Sequence, residues 1–159
     1  MVDPHPTFCD RLAPVTSTLA RTTLTSTTSS SRLLLIEPDE AVAAAISRGL
    51  RRHGWTVNFV HTAMAGLRLQ VEWAPHVVLL ALDLPDMAVG TLIPRLAEQD
   101  GCGILVLTGS DENHPGRATL AWRAHDIIGK PICARDLAAR ILAVQRHLGQ
   151  LAPVPDFLR

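Results

Sequence analysis

His76-Val77-Val78-Leu79-Leu80-Ala81-Leu82-Asp83-Leu84-Pro85-Asp86-Met87 decides the fold of this chain. An unbroken apolar run, Val77 to Leu82, ends abruptly at Asp83, Pro85 and Asp86. A run this short, with no polar alternate position, predicts a strand covered on both faces rather than a helix. Such strands belong to parallel sheets, whose crossovers are usually helices.

The same pattern recurs on either side. Arg32 to Ile36 is a first apolar strand, Thr56 to Val60 a second, Ile104 to Leu107 a fourth and Asp126 to Gly129 a short fifth. Between them the periodicity is helical. Ala41, Val42, Ala45, Ile46 and Leu50 share one face of a first helix, with Asp39 as its cap and Gly54 at its end. Thr62 to Glu72 predicts a second helix, capped by Thr62, with Ala63, Leu67 and Val71 inward. Thr91 to Gln99 predicts a third, with Pro94 tolerated in its first turn. Pro115 to Arg123 predicts a fourth, and Ala134 to Leu148 a fifth lined by Leu137, Ile141, Val144 and Leu148. Five strands alternating with five helices argue for an α/β, doubly wound parallel sheet; right-handed crossovers leave few topologies, of which the flavodoxin-like order 2-1-3-4-5 is the commonest fit.

Three segments follow: a Ser/Thr-rich disordered leader over 1–31, a compact domain over 32–148, and a linker or tail over 149–159 containing Pro153 and Pro155. The leader reads as a floppy extension or an over-long gene start; a phosphorylated or organelle-targeting tract is the alternative. With 159 residues, 47% of them hydrophobic, the chain can bury one sizeable core. Zero formal net charge excludes a global field that would draw nucleic acid or an anionic membrane. Three scattered cysteines, Cys9, Cys102 and Cys133, suit a reducing compartment, and no apolar run approaches bilayer length, so a cytoplasmic location is expected. Seven histidines show no metal-ligand spacing and read as surface residues. Gly101-Cys102-Gly103 precedes a strand and is no dinucleotide loop; Thr108-Gly109-Ser110-Asp111 lacks a nucleophile elbow. No catalytic residue is assigned, and no enzyme is expected.

In a sheet of this order, ligands bind outside the carboxyl ends of the strands. Four segments meet there: Glu37-Pro38-Asp39, Ala81 to Asp83, Thr108-Gly109 and Lys130-Pro131. Together they resemble the signature of response-regulator receiver domains of two-component signalling, the CheY-like family, over roughly Arg32 to Leu148. The resemblance implies an acceptor aspartate at the end of strand three with a proline four residues later. Here Pro85 stands four after Ala81, so the phosphoacceptor slot holds a methyl group. By the same resemblance Glu37 matches the first acid of a Mg²⁺ site, Thr108 the switch hydroxyl, and Lys130 the conserved lysine, with a cis peptide to Pro131. Pro38 replaces the second acid, and Ile127 replaces the aromatic switch. Glu37, Asp39, Asp83, Thr108 and Lys130 therefore form a vestigial acidic and phosphate pocket; Mg²⁺ binding is doubtful and no other cofactor is expected. An ion pair between Glu37 and Lys130 is expected to replace the metal. Asp83 is the alternative acceptor, although Pro85 then follows too soon; its plainer role, like that of Asp86, is loop solvation and turn capping.

Receivers of the winged-helix transcription-factor subfamily dimerise through the face of their fourth and fifth helices and fifth strand. By the same resemblance Asp126 and Arg140 match one cross-subunit pair, Asp136 matches the acidic member of a second with Arg117 near the place of its basic partner, and Trp122 adds an aromatic anchor. The tail resembles the linker into a winged-helix DNA-binding domain that this chain does not contain. The expected function is that of an atypical receiver, or pseudo-receiver, acting in signal transduction or transcriptional regulation by phosphorylation-independent dimerisation or partner docking. Its expected partners are a second copy, a histidine kinase or another signalling protein, and DNA only through an output domain. Two alternatives stand beside it: a phosphorylatable receiver using Asp83, and a flavodoxin-like domain whose vacated pocket takes a small ligand.

Overall fold

The structure is a computed structural model and describes residues 30–109 and 124–150. Five strands, β1 (Arg32–Ile36), β2 (Thr56–Val60), β3 (Val77–Ala81), β4 (Gly103–Thr108) and β5 (Asp126–Gly129), form one sheet. The order is β2-β1-β3-β4-β5, every neighbouring pair parallel. Among the described residues four helices accompany them: α1 (Glu40–Arg52), α2 (Ala63–Trp73), α3 (Val89–Leu96) and α4 (Ala134–His147). The helix expected over Pro115 to Arg123, the leader through residue 29 and the tail from residue 151 lie outside the described residues. Among the described residues no helix is long and apolar enough to cross a membrane.

Alternation along the strands splits the core in two. Leu33, Leu35, Val77, Leu79, Leu105, Leu107 and Ile128 face α1 and α4, meeting Ala43, Leu50, Leu137, Ile141 and Val144. Leu34, Ile36, Val78, Leu80, Ile104 and Val106 face α2 and α3, meeting Ala63, Leu92, Ile93 and Leu96. β3 and β4 are buried along their whole length, as an apolar run with no polar alternate requires.

Three helices differ from expectation. In α1 the buried residues are Ala43, Ser47 and Leu50, while Ala41 and Ala45 are exposed: the helix turns a narrower stripe to the sheet, at i, i+4 and i+7, than the apolar count implied. The sheet-facing stripe of α2 is Ala63, Gly66 and Gln70, while Val71 is 71% exposed. Helix and sheet approach so closely at Gly66 that a Cβ there would lie 2.3 Å from Ile36 Cδ1, so a small residue takes the inward position. Gln70 is buried because its Nε2 donates to the Leu96 carbonyl at 2.9 Å, satisfying the end of α3. α3 begins two residues earlier than Thr91 and stops at Leu96. Pro94 therefore sits inside the helix, not in its first turn; it is exposed, and the helix is only 8 residues long.

Polar side chains close the amino ends of the strands. His76 donates its backbone N–H to the Arg32 carbonyl at 2.9 Å, and its Nδ1 accepts from the Arg32 N–H at 2.9 Å. His125 repeats the arrangement with Ile104, at 2.7 Å and 2.9 Å. Beside them Trp55 Nε1 donates to Gln145 Oε1 at 3.3 Å, and Gln150 Nε2 donates to the carbonyls of His76 and Gly101.

An Nδ1 that accepts a backbone N–H must be unprotonated. Burial, then the charge of Arg32, pushes His76 below the ordinary histidine value; burial, then His147, does so for His125, against the opposing Ile104 contact. The unfolded chain therefore takes up these protons first, near pH ~6.5. Stability is fully present above that value and falls as pH drops from it toward the depressed folded values. Urea melts from pH 8 to pH 5 are expected to show this decline. His76→Asn/His125→Asn, which keeps an acceptor near each Nδ1 but cannot titrate, is expected to flatten it.

Candidate functional site

The register brings the carboxyl ends of four strands together. Ile36 pairs with Leu80, Ala81 with Leu107, and Thr108 with Gly129. Each strand then ends on the residue picked out by its sequence: Glu37 follows β1, Ala81 closes β3, Thr108 closes β4 and Lys130 follows β5. Main-chain bonds extend the sheet by one rung past its ends. Glu37 N–H donates to the Val60 carbonyl at 3.0 Å, Leu82 N–H to Leu107 at 3.1 Å and Lys130 N–H to Thr108 at 2.8 Å.

Glu37 is 2% exposed, and a carboxylate so buried requires a partner. Lys130 supplies it: Nζ lies 2.8 Å from Glu37 Oε2. The other oxygen, Oε1, accepts the Asp39 N–H at 3.2 Å, and the Glu37 carbonyl oxygen lies 2.9 Å from His61 Nδ1. The pair expected from the sequence is thus formed inside one chain, and the Lys130-Pro131 peptide is cis.

The remaining candidates are drawn off to other duties. Asp39 caps α1, its Oδ1 accepting from the Val42 N–H at 3.0 Å. Thr108 is 2% exposed, and its hydroxyl donates to the Ile128 carbonyl at 3.4 Å. Strand alternation sets Ala81 on the α1 and α4 side and Thr108, with Ile127, on the other. Ala81 is 4% exposed and carries only its methyl group. Asp83 is exposed, two residues beyond the strand end. Asp86 caps a neighbouring element: its carboxylate accepts from the N–H groups of Ala63 at 2.8 Å and Met64 at 2.9 Å, the first turn of α2. Those bonds, Met64 first, hold its carboxyl below the usual carboxylate range. Among the described residues no three His, Cys, Asp or Glu side chains converge as a metal-holding group.

The candidate interface is described in part. Arg140 Nη1 reaches Asp126 Oδ1 at 3.2 Å and Oδ2 at 3.0 Å within one chain, with both side chains partly exposed. Asp136 lies in the first turn of α4 and is exposed. Arg117 and Trp122 lie outside the described residues. The two histidines at the amino ends, with their backbone partners far away in sequence, gave no spacing signal; Asp86 as a cap for α2 could have been found only from the topology that brings its loop across.

Glu37→Gln removes the partner of a lysine that is itself 30% exposed, so solvent screens part of the loss. A cost of about 1–2 kcal/mol in urea unfolding is expected, below that of a fully buried pair. Glu37→Gln/Lys130→Met is expected to recover most of it, since no isolated charge then remains.

A sequence model described as the response regulator receiver domain matches residues 33–142. The transcriptional regulatory protein AfsQ1 of Streptomyces coelicolor is 33% identical over 115 residues, 72% of this chain and 51% of that protein. The cell cycle transcriptional regulator CtrA of Caulobacter vibrioides is 34% identical over 117 residues, 73% of this chain and 51% of that protein. The chain thus spans about half the length of these curated relatives. Among solved structures, a CheY-like receiver domain from Methanospirillum hungatei superposes with a TM-score of 0.69 at 24% identity, over 76% of this chain and 97% of that one. A receiver domain from Clostridium thermocellum gives 0.69 at 19% identity, over 77% and 99%.

Proposed function

This chain belongs to the response regulator receiver domain family, and from that premise we propose that it signals without accepting phosphate at the position the family uses. The observation that carries the reading is Ala81 at the end of β3, beside a Glu37–Lys130 pair that is already closed at 2.8 Å. A methyl group offers no lone pair to attack a phosphoryl donor. Lys130, which would otherwise neutralise an incoming phosphoryl group, is engaged by a buried carboxylate, and freeing it leaves that carboxylate unpaired.

The same residues fit a hard divalent cation poorly. Mg²⁺ takes oxygen ligands, and Pro38 and Ala81 have none to give in their side chains. Glu37 is committed to Lys130, and Asp39 to the N-terminus of α1. We therefore read the pocket as one without a resident metal, and assign the domain no enzymatic activity.

Its output in this reading is contact with other proteins. Asp126, Asp136 and Arg140 lie on β5 and α4, the part of the surface where a second copy would dock, with Arg117 and Trp122 in the adjoining sequence. In a dimer the same two residues would pair across a two-fold axis, where partial desolvation makes the pair stronger than the exposed internal one it replaces. The relatives are transcriptional regulators by name and about twice this chain's matched length, which supports control of transcription through a DNA-binding output domain in a longer protein. A histidine kinase or another cytoplasmic signalling protein is the partner class that fits upstream.

Incubation with acetyl phosphate and Mg²⁺ is expected to leave the intact mass unchanged. A gain of one phosphoryl group that Asp83→Asn abolishes would overturn the reading in favour of Asp83 as acceptor.

Sedimentation equilibrium tests the interface. The wild type is expected to dimerise reversibly, and Arg140→Ala to weaken the dimer by roughly two- to fivefold, the few tenths of a kcal/mol by which each cross-subunit pair exceeds the internal one, counted twice by symmetry. Helix content should not change. A wild type that stays monomeric at high concentration, or no shift in the variant, removes this part of the proposal.

A further inference from the structure

Away from the strand ends, one concavity carries chemistry that the fold does not consume. Between α1 and the edge strand β2 lies a groove of about 510 Å³, lined by Ala44, Ser47, Arg48, Arg51, Arg52 and Phe59. Arg48, Arg51 and Arg52 stand at i, i+3 and i+4, so they share one side of the helix. Among the described residues no carboxylate pairs with any of them. Arg51 Nη2 donates to the Val57 carbonyl at 2.7 Å, which holds that guanidinium against the strand while most of its N–H groups stay available.

Ser47 is the second observation. It lines the groove, is 1% exposed, and its Oγ has no hydrogen-bond partner. A buried hydroxyl without a partner is destabilising, and alanine would pack there without that penalty. Basic residues in the last turn of a helix are explained by the helix dipole, which accounts for Arg51 and Arg52 as charges. The dipole explains neither the orphan hydroxyl nor the aromatic wall that Phe59 contributes.

We propose that this groove binds a small organic phosphate with a planar aromatic body, of mononucleotide size. The volume lies in the ordinary range for small-molecule sites. Guanidinium groups recognise phosphate through paired N–H donors, and the Ser47 hydroxyl supplies one more. Phe59 offers a face for a heterocycle. The helix C-terminus opposes an anion by roughly half a charge, which three full positive charges outweigh. The site is separate from the Glu37–Lys130 pocket and does not depend on the function proposed for it.

AMP titrated into the ¹⁵N-labelled 159-residue chain is the test, with adenosine and inorganic phosphate as separate arms. AMP is expected to bind saturably, shifting amide resonances of α1 and β2, and more tightly than either fragment. Arg48→Ala/Arg52→Ala, at two exposed positions, should weaken AMP roughly tenfold, the scale of a lost charge-assisted bond. Ser47→Ala should weaken AMP by about threefold yet raise the Tm of the unliganded protein, a combination that a merely structural serine would not give. Failure of AMP to bind at millimolar concentration overturns the proposal. So do adenosine or phosphate binding as tightly as AMP, shifts confined to other elements, or unchanged affinity in the arginine variant.

Discussion

A sheet covered on both faces has no room for polar side chains along its middle strands, and the rest of this molecule follows from that constraint. β3 and β4 are buried from end to end, and four of the five β1 residues are fully buried. Desolvation would make a polar group there costly unless it were paired. Polar chemistry is therefore displaced to the two rims. The carboxyl rim receives Glu37, Thr108 and Lys130, and the amino rim receives His76, His125, Gln145 and Gln150. Parallel register makes each rim a cluster, since strands that run the same way end together.

The two rims solve the same problem differently. At the amino rim the groups are neutral, and imidazole nitrogens and amides complete the ladder where strand pairing stops. At the carboxyl rim the groups are charged, and a single ion pair with one extra backbone donor satisfies a buried carboxylate. The first of these depends on imidazoles that must stay neutral, so acid loosens the end of the sheet that lies opposite the candidate site.

Strand positions were legible because an apolar run without polar alternates has few other meanings, and the crossover rules narrowed the strand order to a few topologies of which the observed one is the commonest. The carboxyl rim was legible for two reasons: strand ends of a parallel sheet must meet, and the resemblance to receiver domains singled out Glu37 and Lys130 among the residues there, 93 positions apart. Helix faces were less readable where packing rewards small size over hydrophobicity. Val71 is the better hydrophobe, yet Gly66 is the residue that lets α2 approach Ile36, and Gln70 goes inward to meet a carbonyl. Pro94 misled by its usual first-turn preference; an exposed proline in an 8-residue helix satisfies few constraints beyond its own missing N–H. The backbone bonds of His76 and His125 are set by tertiary register and leave no local trace.

Charge balance gives the proposed loss of phosphotransfer a physical logic beyond one missing nucleophile. A carboxylate at position 81 would stand beside Glu37, since the residue before each, Ile36 and Leu80, are register partners. Another acid at position 38 would make three negative groups facing one lysine, an arrangement that holds together only around a cation. With Ala81 and Pro38 in those places, Glu37 and Lys130 balance one against one, and the rim is satisfied by the chain's own groups. Restoring an aspartate at 81 alone would add a charge that this pocket has no second cation to meet. On this reading the substitutions at 38 and 81 belong together: each makes the other tolerable, and both leave the sheet, its register and its outer faces available for contact with other proteins.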